Sequence, residues 1–195
     1  MGWRIVAAAR SRSLVWGAGA IGGTIGAFLA RAGHDVTLVD TAADHVAAIN
    51  RSGLRISGPI AEFSVSLPAF TPGALVGRWE TIVLATKAHH TDDAVLALLP
   101  HLDESGCVVS AQNGLNELAI AAVVGERRTV GAFVNFGADY LEPGSILYGG
   151  RGTVTVGEPC GPRASRLSPR AIGMREAWRR FYWRPCATEN MFGYL

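Results

Sequence analysis

One stretch constrains the fold more than any other: a short apolar run that leads into a glycine-rich turn. Residues 14–16 are apolar and are followed by three glycines spaced as G-x-G-x-x-G: Gly17, Gly19 and Gly22. Apolar residues then recur at helical spacing over 20–32, and Gly33 predicts the end of that helix. A second apolar run, 34–40, closes on an acidic residue. These 27 or so residues have the length of a βαβ unit.

Each glycine of the turn has a physical role. Gly17 permits a tight turn, Gly19 lets the backbone approach a pyrophosphate, and Gly22 lets helix and strand pack closely. The start of the helix offers unpaired N–H groups to an anion. Asp40 follows 18 residues after Gly22 at a strand end, so the unit predicts a dinucleotide-binding site. The alternative is a glycine-rich packing turn in a Rossmann-like fold without a nucleotide.

Asp40 bears on the choice of dinucleotide. At the end of the second strand its carboxylate is expected to accept hydrogen bonds from both adenosine ribose hydroxyls, which favours NAD. A 2′-phosphate would be repelled, and no Arg or Lys follows before Arg51. The alternative is that Asp40 is an acidic N-cap for a helix that starts near Thr41.

Strands and helices continue to alternate beyond this unit. The patterns predict a helix over 41–50 with Asp44 and His45 facing solvent, strands at 54–57 and 62–67 around Gly58-Pro59, a strand at 81–86, a helix at 91–99, a strand at 107–110, a helix at 116–124, and strands at 129–135 and 146–156 joined through 142–144. Near-continuous apolar strands that alternate with helices indicate an α/β fold of the Rossmann type. We expect a doubly wound, mainly parallel sheet covered on both faces, over residues 1–158.

Composition excludes several classes of protein. The chain is 49% hydrophobic and 17% charged, and no apolar run reaches the ~18 residues of a membrane span. The N-terminal apolar run, 5–9, is too short for a secretory signal, so we expect a cytoplasmic protein. The three cysteines lack C-x-x-C spacing, and His89 and His90 are interpreted as a surface pair, so no metal site is predicted.

The segment 159–195 differs in composition from the rest. It carries seven Arg against two Glu, interspersed with Pro, Cys and Trp and without periodicity, so we expect no nucleic-acid partner. Residues 160–186 could reflect a shifted coding frame that recovers near Ala187, or a genuine divergent linker. We expect 159–195 to be a divergent or truncated start of a further, helical domain.

Two polar residues follow predicted strands at the edge where an open α/β sheet binds its ligand: Lys87 and Asn113. Lys87 is the only lysine among 18 basic residues, which indicates that a point charge is wanted there rather than a planar guanidinium. The alternatives are a solvated loop lysine and, for Asn113, a plain turn residue before Gly114.

Four segments together resemble the ketopantoate reductases (2-dehydropantoate 2-reductases): Gly17-Ala18-Gly19-Ala20-Ile21-Gly22-Gly23, Thr86-Lys87-Ala88, Gln112-Asn113-Gly114-Leu115 and the stretch 131–157. The resemblance covers about 13–158, the N-terminal domain of that family. It implies reduction of a small 2-oxo acid, 2-dehydropantoate, to pantoate with NADPH, in pantothenate biosynthesis. It also implies that Gly17 to Gly22 hold the pyrophosphate, that Lys87 and Gly137 contact the cofactor, and that Asn113 lies near nicotinamide and substrate. A homodimer is a further expectation.

Two departures from the family pattern matter. The family usually has a basic residue where this chain has Asp40, so NAD is expected to replace NADP. The family's proton donor is a lysine of a C-terminal helical domain, and no lysine follows Lys87 here, so we expect cofactor binding with little turnover. The alternatives are another Rossmann dehydrogenase, acting on a hydroxyacyl, amino-acid or sugar-nucleotide substrate, and a non-catalytic dinucleotide-binding fragment or redox sensor.

Overall fold

A computed structural model describes residues 12–157, and the predictions made for 1–11 and 158–195 lie outside it. The strands are β1 (Arg12–Trp16), β2 (Asp35–Val39), β3 (Leu54–Ser57), β4 (Phe63–Val65), β5 (Ala69–Phe70), β6 (Trp79–Leu84), β7 (Leu102–Ser110), β8 (Thr129–Val134), β9 (Gly137–Glu142), β10 (Ser145–Gly150) and β11 (Val154–Gly157). The α-helices are α1 (Ala20–Arg31), α2 (Ala43–Ser52), α3 (Thr91–Leu98) and α4 (Glu117–Val124).

The main sheet has the order β11-β8-β7-β6-β1-β2-β5. Its strands run parallel except β11, which pairs antiparallel with β8 at one edge. From β1 the chain passes through α1 to β2 on one side, whereas from β6 it passes through α3 to β7 on the other. The strand order therefore reverses between β1 and β6, which makes this crevice the topological switch point where such sheets bind ligands. The predicted Rossmann-type fold is confirmed.

Both faces of the main sheet are buried, which explains the near-continuous apolar strands. Val15, Val83 and Val109 pack on the face that α1 and α2 cover. Their strand neighbours Leu14, Ile82 and Val108 pack on the opposite face, with α3 and α4. Because side chains alternate along a strand, each strand contributes to both cores.

The structure also contains a second sheet that the sequence patterns do not predict: β3, β4, β9 and β10 form a sheet of order β4-β3-β10-β9, which packs on α1. The region 146–156 is not one strand but two, β10 and β11, in different sheets. Residues 137–142, for which the patterns predict no strand, form β9. The cause is non-local, because β10 pairs Ile146 with Ile56, a residue far away in sequence.

The prediction that His45 faces solvent is also wrong. His45 is 1% exposed and lies on the same face of α2 as Val46 and Ile49. Both ring nitrogens are within hydrogen-bond distance of backbone atoms from other elements, which satisfies this polar side chain in the interior. Asp44 is exposed, as expected.

No helix within residues 12–157 combines the length and apolar character that a membrane crossing requires.

Candidate active site at the carboxyl edge of the main sheet

The glycine turn after β1 packs directly against the segment after β6. Gly17 has a φ of +96°, and its N–H donates to the Val39 carbonyl at 2.8 Å. A Cβ at Gly17 would lie 2.9 Å from the Thr86 backbone nitrogen, and one at Gly22 would lie 2.9 Å from the Ala85 Cβ and overlap the Gly17 carbonyl. These two glycines therefore allow the close approach of β1, α1 and β6.

Gly19 has the opposite environment. A Cβ built on it would meet nothing within 4 Å, and its φ of −64° lies outside the left-handed region. Gly19 is the N-cap of α1, no side chain caps this helix, and its first turn holds no acidic residue. Within residues 12–157 its N–H donates to no acceptor. A helix start with unpaired N–H groups beside open space fits a phosphate group, so these residues fit the pyrophosphate of a dinucleotide.

The backbone around Lys87 is held by a buried polar cluster that sequence reasoning missed. The amide Nε2 of Gln112 donates to the Thr86 carbonyl at 2.9 Å and lies 3.0 Å from the Thr91 hydroxyl. That hydroxyl donates to the Ala88 carbonyl at 2.7 Å. The segments on both sides of Lys87 are thus fixed, while the Lys87 side chain is exposed and, among the described residues, pairs with no acceptor. The feature of the sequence that could have indicated this role is the position of Gln112, directly before Asn113 at a strand end.

Asn113 lies one strand away from Lys87, after β7. Its side chain is exposed, and its carbonyl accepts a hydrogen bond from Asn116 Nδ2 at 2.9 Å. Gly114 follows with a φ of +100°, which turns the chain into α4. Because Gln112 joins this turn to the Thr86 carbonyl, Lys87 and Asn113 are presented on adjacent, mutually braced segments.

Asp40 follows β2, on the other side of the glycine turn. Its Oδ1 accepts the Ala42 N–H at 3.0 Å, just ahead of α2. The alternative that Asp40 is an N-cap is wrong, because α2 begins at Ala43 and its N-cap is Ala42. Asp44 lies in the first turn of α2. The pKa of the Tyr140 hydroxyl is raised above its ordinary value, mainly by burial and further by the carboxylates of Asp44 and Asp40. This rim of the site is therefore negatively charged.

Gly137 follows the carboxyl end of β8 by three residues. It is the first residue of β9, opposite Gly150. A Cβ at Gly137 would approach Gly150 at 3.4 Å and no other described residue within 4 Å. Its predicted contact with the cofactor stays a prediction.

The adjacent histidines after Lys87 lie on the surface. His89 and His90 are both exposed, with ring centroids 4.0 Å apart. Across residues 12–157, no group of three or more His, Cys, Asp or Glu side chains is placed so that it could hold a metal ion.

Comparison with known proteins identifies relatives of this chain. The chain is 38% identical over 146 residues to the 2-dehydropantoate 2-reductase of Pyrococcus horikoshii, an alignment that covers 73% of this chain and 46% of that protein. It is 31% identical over 185 residues to the enzyme of the same name from Mesorhizobium japonicum, covering 84% of this chain and 56% of the relative. The chain thus spans about half the length of the curated relatives it matches.

Solved structures show the same fold. The PanE/ApbA family ketopantoate reductase from Ralstonia eutropha superimposes with a TM-score of 0.72 at 29% identity, over 85% of this chain and 54% of that one. Residues 13–161 match the family described as ketopantoate reductase PanE/ApbA. The fold, the glycine turn at the switch point and these matches together show that the chain belongs to the ketopantoate reductase PanE/ApbA family.

Proposed function

We propose that this chain is the dinucleotide-binding half of a reductase that acts on 2-dehydropantoate, a small 2-oxo acid, and that it prefers NAD(H) to NADP(H). The observation that carries the proposal is the open, uncapped start of α1 at Gly19, beside the exposed Lys87 and Asn113 on the next two strands. The substrate is inferred from the names of the curated relatives. The groups proposed to bind the cofactor and substrate are all among the described residues.

The predicted roles divide along the carboxyl edge. The backbone from Gly17 to Gly22 would hold the pyrophosphate, and Asp40 would bind the adenosine ribose. The Lys87 ammonium would lie beside the cofactor, where a compact charge attracts phosphate or the substrate carboxylate. The amide of Asn113 would donate to the substrate and orient it near the nicotinamide.

The chemistry is a ketone reduction. When bound, the dinucleotide supplies a hydride to the ketone carbon. The chain's own residues orient the 2-oxo acid, and a proton must reach the oxygen that becomes the alcohol. Lys87, the one lysine of the 195 residues, is better used to hold the dinucleotide. The resemblance to the family implies that the proton donor is a lysine of a C-terminal domain.

The preference for NAD(H) rests on charge. The 2′-phosphate of NADP is attached to the adenosine ribose, which Asp40 would bind, and Asp44 lies close by in the sequence, in the first turn of α2. Repulsion between the carboxylates and the 2′-phosphate disfavours NADP(H). The next basic residue that could offset this repulsion is Arg51, in the last turn of α2. The resemblance to the family implies the opposite preference, and binding measurements with both cofactors distinguish the two.

A protein of similar fold has been solved with a nicotinamide cofactor. D-mandelate dehydrogenase was solved with NADH and anilino(oxo)acetate, and it superimposes with a TM-score of 0.75 at 22% identity, over 85% of this chain and 54% of that one. A cytoplasmic location and a homodimer remain predictions from the sequence.

The test measures binding and turnover separately. Calorimetry with NADH and NADPH shows whether the chain binds either dinucleotide and which one it prefers. Oxidation of the preferred cofactor is then followed with 2-dehydropantoate and, as a comparison, with 2-oxo acids of other shapes, including benzoylformate. Binding of neither dinucleotide would contradict the proposal. Faster reduction of another 2-oxo acid would correct the substrate.

A further inference from the structure

A buried histidine that the proposed chemistry does not use touches the glycine turn. His45 is 1% exposed, its Nε2 lies 3.0 Å from the Ala18 carbonyl oxygen, and its Nδ1 lies 2.9 Å from the Gly144 backbone nitrogen. The Gly144 N–H can only donate, so Nδ1 must accept and carries no proton. The imidazole is therefore neutral, with its proton on Nε2, and donates to Ala18.

The Ala18 carbonyl is held on a second side as well. A Cβ at Gly23 would lie 2.7 Å from that oxygen, so the carbonyl packs closely over Gly23. Between the His45 donor and the body of α1 the Ala18 peptide has little room to rotate. Tyr140 packs edge-on against the His45 ring, with centroids 5.1 Å apart, which fixes the ring itself.

The orientation of this carbonyl determines the direction of the next N–H. The peptide between Ala18 and Gly19 is trans, since no cis bond occurs in the described chain, so its C=O and N–H point in opposite directions. With the carbonyl directed at His45, the Gly19 N–H points to the other side. Within residues 12–157 this N–H donates to no acceptor, and a Cβ on the adjoining Gly19 Cα would meet nothing within 4 Å.

We infer that His45 is a positioning residue for dinucleotide binding: through the Ala18 carbonyl it holds the Gly19 N–H directed at the phosphate. The same ring anchors the β9–β10 turn at Gly144, so it ties the second sheet to the glycine turn. This inference rests on the proposed function. It adds a residue from α2 that does not touch the cofactor and acts through the backbone.

The variants separate positioning from mere support of the fold. His45→Phe keeps an aromatic ring against Tyr140 but removes both hydrogen bonds, and His45→Gln keeps one donor and one acceptor. The matched control is Asn50→Leu, because Asn50 bridges the N–H and C=O of Ala69 at 3.0 and 2.8 Å away from the glycine turn. All are made in the full 195-residue chain.

NADH dissociation constants are measured by calorimetry well below each melting temperature. We expect His45→Phe to weaken NADH binding about tenfold, or about 1.4 kcal/mol, and His45→Gln to restore it to within about threefold. Asn50→Leu is expected to lower the melting temperature with Kd unchanged. An unchanged Kd in His45→Phe, or an equal loss in Asn50→Leu, would overturn the inference.

NMR on the wild-type chain provides a second readout, which decides the matter if His45→Phe does not fold. The imidazole ¹⁵N shifts should report the neutral ring with its proton on Nε2. The Gly19 amide should be among those that shift most on addition of NADH. A proton on Nδ1, or a silent Gly19 amide in a chain that binds NADH, refutes the positioning role. If the wild type binds neither NADH nor NADPH, the proposed function itself fails.

Discussion

Replacement of Gly19 by valine tests the dinucleotide site without straining the fold. The glycine has a φ of −64° and open space where a Cβ would lie, so the valine side chain fits the unliganded chain. Glycine is a better N-cap than valine, so we expect the free energy of unfolding to fall by no more than about 1 kcal/mol. The branched side chain would then occupy the position that a phosphate needs.

The expected loss of affinity follows from the contact removed. A hydrogen bond from the Gly19 N–H to a charged phosphate contributes about 1.5 to 3 kcal/mol. Displacement of the phosphate by the valine methyl groups forfeits that bond. The NADH dissociation constant should therefore rise roughly 10- to 150-fold.

Calorimetric titration with NADH measures this loss, and Gly73→Val is the matched control. Gly73 likewise has nothing within 4 Å of its Cβ position and is exposed, but it lies in the short turn after β5, a strand two places from β1 in the main sheet. We expect Gly73→Val to bind NADH like the wild type. Unchanged NADH affinity in Gly19→Val would refute the assignment of this turn to the pyrophosphate.

Three further predictions test other parts of the site. Asp40→Ala should reduce the preference for NADH over NADPH, because the repulsion between the Asp40 carboxylate and the 2′-phosphate is removed. If the wild type binds NADPH more tightly than NADH, the role assigned to Asp40 is wrong. Gly22→Ala should destabilise the chain by about 1–3 kcal/mol in urea unfolding, because its Cβ would overlap the Gly17 carbonyl, and an unchanged midpoint would contradict this packing. Lys87 is the one lysine of the 195 residues. The chain should therefore reduce 2-dehydropantoate about 10²–10⁴-fold more slowly than an enzyme with a positioned proton donor. A steady-state turnover near ~10 s⁻¹ would show that another residue donates the proton.

Much of the site could be predicted because its signals are local. The turn glycines sit between a strand and a helix, and both periodicities can be read within 20 residues of sequence. Lys87 and Asn113 each follow an apolar strand, and parallel strands place their carboxyl ends at one edge. The positions of these residues at that edge therefore followed from the order of elements alone.

The remaining features depend on contacts between distant segments. A polar residue on a surface helix usually faces solvent, which is why the sequence predicts an exposed His45, although its spacing from Ile49 places it on the buried face of α2. Its burial is stabilised by the Ala18 carbonyl and the Gly144 N–H, and the latter comes from 99 residues away. Gln112 is similar, since its role depends on Thr86 and Thr91 on neighbouring elements.

The sequence by itself determined the doubly wound sheet, the glycine turn at its switch point and the edge at which the polar residues gather, because hydrophobic periodicity and turn chemistry act over short stretches of chain. Only the tertiary structure decided that β3, β4, β9 and β10 form a second sheet on α1, and that a neutral histidine beneath it orients the glycine turn. Strand pairing and the satisfaction of buried polar groups depend on partners that are close in space and remote in sequence, so no local pattern specifies them.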